Sequence, residues 1–570
     1  MVIFVCNRAL LRAVASGSIL PSFRQFSTSN NENLVRLLRT AAAENDPKKV
    51  MFRIPGRPQD AAHLSHYKRS SDLPMLRRGH KTYHQFWSLV SRYATCLTQR
   101  YRIERGDRVM AKVSKLPENL ALYFATLQIG AVYVPVSTNY TSNETSMLIR
   151  DAEPKLVVLA DRHEWFTGLY DVPGQANGMN SDAANGRPKY NFIGETQLYD
   201  HVWHYHDDEG VSVATVEQDD LAILCYTSGT TGQPKGVMIT HGNLTSNAQT
   251  LVNTWRMTGD DVLIHALPIN HIHGLCVAMH TAMLSTAEIV IFPAFIVQSV
   301  MEQLPNATMM MGVPTFYTRL LQQPQFNASI CSKMRLFISG SAPLLSSTWE
   351  DFKERSGGHE ILERYGMTEG QMITSNPFDG PQLPGTVGKP LDGVSVRVAD
   401  DGAIEYKGPN VFAGYWRQPN KTEQAFSHDG YFRGGDLGEW AGPNNDYLRI
   451  TGRQSDLIIT GGLNVSPKQI ELALGAQEGV EDVAVFGVPH ADFGEAAVAA
   501  VVLLEKEAEL VKRSAVDRQK YEQQYRTALK QTLAPHKVPK KIVFIDQIPR
   551  NAMGKVQKNV LRDKYKDLLV

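Results

Sequence analysis

A chain of 570 residues is too long for one hydrophobic core and divides into two or more domains. Its residues are 43% hydrophobic and 21% charged, with a net charge of +1, which gives no electrostatic reason for a nucleic-acid or membrane-surface partner. No uninterrupted apolar run approaches the roughly 18–20 residues that span a bilayer, and five scattered cysteines without C-x-x-C spacing argue against a disulfide framework or zinc site.

In chain order, residues 1–30 come first, with Arg8, Arg12 and Arg24, several serines and no acid before Glu32. Leu10, Leu11, Val14 and Ile19 can share a helix face beside the arginines, the composition of a mitochondrial transit peptide, and this segment is set aside from the fold. Residues 31–452 then alternate strand-like and helix-like stretches: a strand at 107–113, a helix at 119–127, strands at 131–136, 156–160 and 287–292. Such alternation predicts a large domain of layered α/β sheets. Residues 173–188, rich in Gly, Asn, Asp and Ala, read as a surface loop. Beyond Gly452 the texture changes to a helix at 467–474, strands at 483–488 and 496–504, a charged helical stretch at 507–533 and a strand at 542–545. Residues 453–570 suffice for a small α+β domain.

The strongest motif is Tyr226-Thr227-Ser228-Gly229-Thr230-Thr231-Gly232-Gln233-Pro234-Lys235-Gly236, which follows an apolar strand at 221–225 and precedes a helix starting near His241. Its glycines let the backbone approach an anion, its hydroxyls and N–H groups supply donors, and Lys235 adds charge. The loop suits a triphosphate yet lacks the G-x-x-x-x-G-K-[ST] spacing of P-loop NTPases.

With this loop, Ser339-Gly340-Ser341-Ala342-Pro343, Tyr365-Gly366-Met367-Thr368-Glu369, Gly435-Asp436, Gly452-Arg453 and Pro549 to Lys555 follow in order. The ordered set resembles the adenylate-forming superfamily of acyl-CoA synthetases, luciferases and adenylation domains. The resemblance implies that a carboxylate attacks the α-phosphorus of ATP, pyrophosphate leaves, and the thiol of CoA then displaces AMP from the acyl-adenylate. No protein nucleophile is required and no G-x-S-x-G elbow is present, so positioning and charge neutralisation carry the catalysis.

By the same resemblance Thr227, Ser228, Gly229, Thr230, Thr231, Gly232 and Lys235 cradle phosphates, Thr368 contacts phosphate, and Glu369 holds Mg²⁺. Gly340, Ser341, Ala342 and Pro343 line the adenine, Tyr365 stacks on it beside Gly366, and Asp436 accepts from both ribose hydroxyls. Lys555 bridges carboxylate and α-phosphate. Arg453 lies at the domain junction, Ser455 takes the hinge position, and Gly461 and Gly462 help form the pantetheine path. The sequence departs from the family's usual residues at Gly434 and Ser455, and from malonyl-type relatives at Ile459 and Asn464, where lysine is common.

For the acid, residues 267–275, 334–342 and 362–369 resemble malonyl-CoA synthetases more than fatty-acid ligases. A second carboxylate in the acyl pocket needs a cation. Arg335, entering the strand before the adenine loop, is assigned that part by resemblance, and its guanidinium can grip a carboxylate bidentately. His271 takes the position of a gate between acyl and CoA tunnels, and His273 reads equally well as a core histidine. Malonate is therefore the expected substrate, with methylmalonate one methyl larger. The rivals are a short- or medium-chain fatty acyl-CoA synthetase and a catalytically inactive relative that binds or scaffolds; retention of Lys555, Glu369 and Asp436 argues against the second.

Overall fold

The computed structural model describes residues 33–55, 79–160, 190–206, 211–228, 234–551 and 554–569, with the backbone of two short strands, Gln175–Ala176 and Met179–Asn180. The N-terminal segment 1–30, the loop residues Gly229, Thr230, Thr231 and Gly232, and most of 173–188 lie outside the described residues.

Two large sheets form the body of the molecule. One has nine strands, with Ile361–Met367, Leu336–Ser339, Met309–Gly312, Val262–His265 and Glu288–Ile291 side by side and parallel at its centre. The other has seven, in which Leu221–Ser228, Val132–Pro135, Arg108–Lys112 and Leu156–Leu159 are likewise parallel. Most of these strands are short and largely apolar, as expected of strands covered on both faces, with Ile361–Met367 the exception that carries Glu363 and Arg364. Helix Pro117–Gln128 is buried at every residue, and the helical segment His273–Leu284 is buried likewise, so both are enclosed within the layers and carry no polar stripe. Phe52, Phe86, Trp87 and Phe124 interlock edge to face across this core. A four-stranded antiparallel sheet, which includes Phe432–Ala441 and Tyr447–Arg453, lies beyond them in sequence.

From Ile458 onward a separate five-stranded sheet carries cores of its own around Val485, Val501 and Leu529 and around Phe486, Val498 and Leu561. The helical stretch expected over 507–533 is two helices, Glu505–Arg513 and Ala515–Thr532. Ser514 divides them: its side chain accepts from Asp517 N–H and caps the second. The strand before the phosphate-loop motif and the helix at His241 are both present, with a further strand between them. Strand Leu221–Ser228 turns back into an antiparallel strand, Pro234–Thr240, and only then does helix His241–Thr254 begin, under a Thr240/Asn243 capping box. Lys235 therefore stands on the returning strand opposite Thr227.

Among the described residues Cys96, Cys225, Cys276 and Cys331 are buried free thiols. No described helix is long and apolar enough to cross a membrane.

Candidate active site

The carboxyl ends of the parallel strands gather most of the residues singled out above, the place where open α/β sheets present their crevices. Strand Ile361–Met367 delivers Arg364 and Tyr365 and leads into Thr368 and Glu369. Gly366 has to be glycine, because a Cβ there would stand 1.9 Å from Gln371 O. Tyr365 donates its hydroxyl to Asp436 Oδ2 at 2.7 Å, and Arg453 Nε donates to Asp436 Oδ1 at 2.7 Å. Each carboxylate oxygen thus has one donor and a further lone pair to spare, which fits a diol such as the ribose of a nucleotide. Gly435, at φ +78, leaves space open beside it, and a Cβ at Gly434 would crowd Met367 Sδ at 2.7 Å, a physical reason for glycine at that departure.

Glu369 is buried, and its Oε1 accepts from Tyr415 O–H at 3.1 Å. Burial raises its pKa above the ordinary carboxylate range, against the pull of the Tyr415 hydroxyl, Arg453 and Lys555. A buried carboxylate is a hard oxygen donor, and a divalent metal held there would favour its ionised form. Lys235 lies over the Tyr415 ring, its Nζ 5.0 Å from the centroid, so Tyr415 links it to Glu369.

Lys555 stands within electrostatic reach of Arg453, Asp436, Glu369, Arg364 and His271. Its side chain remains open to solvent while protein atoms crowd around it in a cleft. That crowding, then Arg453, lowers the ammonium pKa, with Asp436 and Glu369 opposing. His271 is held down to about 4 by burial and then by Lys555, so it is neutral at physiological pH.

Arg335 is not in this cluster. Its Nε and Nη2 grip Asp261 bidentately at 2.7 and 2.6 Å, and its remaining donors reach the carbonyls of Trp255 and Arg256. It precedes strand Leu336–Ser339, whereas the loop at 340–343 follows it, roughly 16 Å away at about 3.3 Å per residue. The assignment of Arg335 as the pocket cation is thereby corrected: its guanidinium is already consumed by a local acid at the far end of the strand.

The cation at the near end is Arg364. It is 3% exposed, its Nε and Nη2 have no hydrogen-bond partner, and its guanidinium lies directly over Gly340. Burial pulls its pKa down to about 9, which leaves it charged at neutral pH. Beside it His273, also buried, shares Nδ1 with Ser341 Oγ at 3.2 Å and leaves Nε2 without a partner. Burial, then Arg364, His265 and His271, keep His273 well below its ordinary pKa. Ser341 adopts φ +69, a left-handed conformation that costs strain in a non-glycine residue and fixes where its hydroxyl points. Sequence reasoning misses Arg364, although it sits directly before the tyrosine assigned to adenine, and it does not separate His273 from an ordinary core histidine.

Ala342 is half-buried and Pro343 exposed along the same loop, and Thr368 is half-buried next to Glu369. Ser455 is exposed in the turn Gln454–Asp456 that follows Arg453. Gly461 and Gly462, both with positive φ, make the two-residue turn of an exposed hairpin whose neighbour is Phe493.

Residues 62–416 match the model of the AMP-binding enzyme family, and residues 469–555 match that of the AMP-binding enzyme C-terminal domain. The chain is 32% identical over 500 residues to a malonate–CoA ligase of Arabidopsis thaliana, covering 80% of this chain and 78% of that one. It is 32% identical over 540 residues to the human mitochondrial malonate–CoA ligase ACSF3, covering 85% and 88%. Among solved structures it is similar to ATP-bound MatB from Rhodopseudomonas palustris, with 41% identity, a TM-score of 0.81, and 94% of this chain and 100% of that one covered. The chain belongs to the AMP-binding enzyme family, as an ATP-using acid–thiol ligase that works through an acyl-adenylate.

Proposed function

We propose that this enzyme joins malonate to the thiol of CoA in mitochondria, with methylmalonate as a tolerated second acid. The observation that carries the reading is the buried Arg364 guanidinium with two unpartnered nitrogens, next to an unpartnered His273 Nε2. A buried cation without an acid of its own is costly, and a monocarboxylic acid would leave it so. The distal carboxylate of malonate supplies the missing charge and accepts from both side chains. The names of the plant and human relatives support malonate, and the name of the human relative, together with the arginine-rich, acid-free first 30 residues, supports the mitochondrial location.

In the mechanism this implies, Arg364 and His273 hold one carboxylate while Lys555 draws the other toward the α-phosphate, offsetting the repulsion between two anions. Asp436, oriented by Tyr365 and Arg453, fixes the ribose. Gly340, Ser341, Ala342 and Pro343 border the adenine. Thr227, Ser228, the glycine-rich loop Gly229–Gly232 and Lys235 hold the β- and γ-phosphates with Thr368. Mg²⁺, when bound at Glu369, neutralises phosphate charge. His271 separates the acid from the incoming thiol, for which the hairpin at Gly461 and Gly462 provides the path. Residues 453–570 act as a mobile small domain turning about Ser455. Ile459 and Asn464 are exposed on the same hairpin, so CoA is held there without the lysines common in malonyl-type relatives.

The test is pyrophosphate release with malonate, methylmalonate, acetate, butyrate and octanoate, in wild type and Arg364→Met. We expect wild type to prefer malonate over butyrate by about 10³-fold or more and the variant to lose that preference. A wild type that turns over butyrate as well as malonate would remove the malonate assignment and leave the ligase.

A further inference from the structure

The phosphate-loop motif begins at Tyr226 and ends at Gly236, and one hydrogen-bonded circuit holds both residues. Tyr226 donates its hydroxyl to Asp151 Oδ2 at 2.5 Å. Asp151 is the last residue but one of helix Ser142–Ala152, and its main-chain carbonyl accepts the indole N–H of Trp416 at 3.1 Å. The backbone N–H of Trp416 in turn donates to Gly236 O at 2.8 Å. Gly236 and Tyr226 lie opposite each other in the ladder between strands Leu221–Ser228 and Pro234–Thr240, so the circuit Tyr226–Asp151–Trp416–Gly236 closes on itself.

The last carbonyls of a helix have no partner within it. Here Asp151 O takes Trp416, while Ala152 O and Glu153 O take Arg108 Nε and Nη2, both at 2.8 Å. Arg417 Nη2 reaches Glu153 Oε2 at 2.6 Å, and the Arg108 and Arg417 guanidinium carbons lie 5.7 and 5.5 Å from the centre of the Trp416 ring. A Cβ at Gly236 would stand 3.0 Å from Trp416 Cβ and 2.9 Å from Leu224 Cδ1, so the glycine brings the end of the motif directly against the tryptophan. Capping the helix needs only a donor at its end. It does not need that donor to hold Gly236 as well, nor a carboxylate aimed at Tyr226. The residue before Trp416 ties the same segment to the active site: Tyr415 pairs with Val237, carries Lys235 over its ring and donates to Glu369.

We propose that Asp151 and Trp416 are positioning residues that clasp the two strands delivering the phosphate loop, and so set ATP for attack by the acid. Neither touches substrate; they act through Tyr226 and Gly236. The proposal rests on the reading of this loop as the holder of the β- and γ-phosphates, and goes beyond it in naming what fixes the loop's two ends.

The experiment measures two steps separately in the full-length enzyme. The first is acid-dependent exchange of pyrophosphate into ATP, with KM for ATP and for malonate; the second is thioester formation from presynthesised malonyl-adenylate and CoA, which uses no β- or γ-phosphate. Tyr226→Phe, Asp151→Ala, their double variant, Trp416→Phe and Lys235→Met are compared with wild type. Tyr226→Phe deletes a single oxygen and Trp416→Phe keeps an aromatic ring, so each tests the circuit with little change in packing. Tyr226→Phe and Asp151→Ala are each expected to raise KM for ATP about tenfold and Trp416→Phe about fivefold, while KM for malonate and thioester formation stay within about twofold of wild type. The double variant should match the single ones, because both remove the same hydrogen bond. Equal loss in both steps, single variants with the wild-type KM for ATP, or losses that multiply in the double variant would each overturn the clasp. An unchanged KM for ATP in Lys235→Met would remove the phosphate reading of the loop itself, and this inference with it.

Discussion

The guanidinium of Arg364 lies against the backbone of Gly340 so closely that a Cβ at that glycine would stand 2.5 Å from Nη1 and 2.6 Å from Cζ. The loop at 340–343, proposed to border the adenine, and the proposed acid-binding cation therefore share one surface, and the glycine is what allows it. Gly340→Ala has to displace the guanidinium, which cannot retreat through the packed residues around it. We expect kcat/KM for malonate to fall by about 10²-fold or more, with a smaller loss for butyrate. Steady-state kinetics with both acids check this. Equal losses would trace the effect to the nucleotide loop and not to the cation.

Arg335 should behave in the opposite way. Its partner Asp261 has a side chain only 3% exposed, so removal of the guanidinium leaves a buried carboxylate with the Thr258 N–H and the Thr308 hydroxyl as donors. Arg335→Ala should cost about 2 kcal/mol of stability, below the usual loss for a fully buried pair because Arg335 itself is partly exposed. Malonate preference should be unchanged. Denaturant unfolding together with the acid panel tests both halves, and a collapse of preference without loss of stability would return Arg335 to the pocket.

Tyr365 and Asp436 are 71 residues apart in sequence and 2.7 Å apart in space. Hydrogen bonds to charged groups contribute about 1.5–3 kcal/mol. Tyr365→Phe keeps the ring and deletes only the donor, freeing the carboxylate to rotate away from the ribose position. KM for ATP is expected to rise about tenfold, with KM for malonate nearly unchanged. A rise confined to malonate would contradict the nucleotide assignment of Asp436.

What is legible in the sequence is mainly what chemistry forces into short strings. The glycines at 340, 366 and 435 mark, in turn, a close approach to a side chain, a close approach to backbone and open space, and each stands within a motif that the amino-acid order alone displays. The choice between Arg335 and Arg364 is different in kind. Arg335 precedes one strand and Arg364 lies within its parallel neighbour, and in the ladder Ser339 pairs with Glu363, so Arg364 comes level with the loop at 340–343. Arg335 sits at the amino end with an acid from 74 residues away, and no local string announces Asp261. The rule that crevices open at the carboxyl ends of strands favours Arg364. Similarly, Ser514 followed three residues later by Asp517 is a readable start signal inside a charged stretch that otherwise looks continuous. The full burial of helix Pro117–Gln128 is not readable, because it depends on two sheets closing over it.

Acid should weaken the fold through a histidine outside the site. His241, first residue of helix His241–Thr254, is fully buried with both ring nitrogens unpartnered. Burial holds its pKa down to about 4, with Asp220 pulling upward and Arg105 downward. The unfolded chain, with an ordinary pKa near 6.5, binds more protons than the native state between those two values. This contribution to stability is therefore complete above about pH 6.5 and is lost progressively as pH falls toward 4. At pH 5 the loss amounts to about 2 kcal/mol, from roughly 1.5 pH units at 1.36 kcal/mol each. His241→Phe, which cannot titrate, should show a shallower fall in unfolding free energy between pH 7.5 and pH 5. Denaturant titrations of both proteins at the two pH values measure the difference. Parallel losses in wild type and variant would assign the acid sensitivity to other groups, among them His280, which burial holds down to about 3.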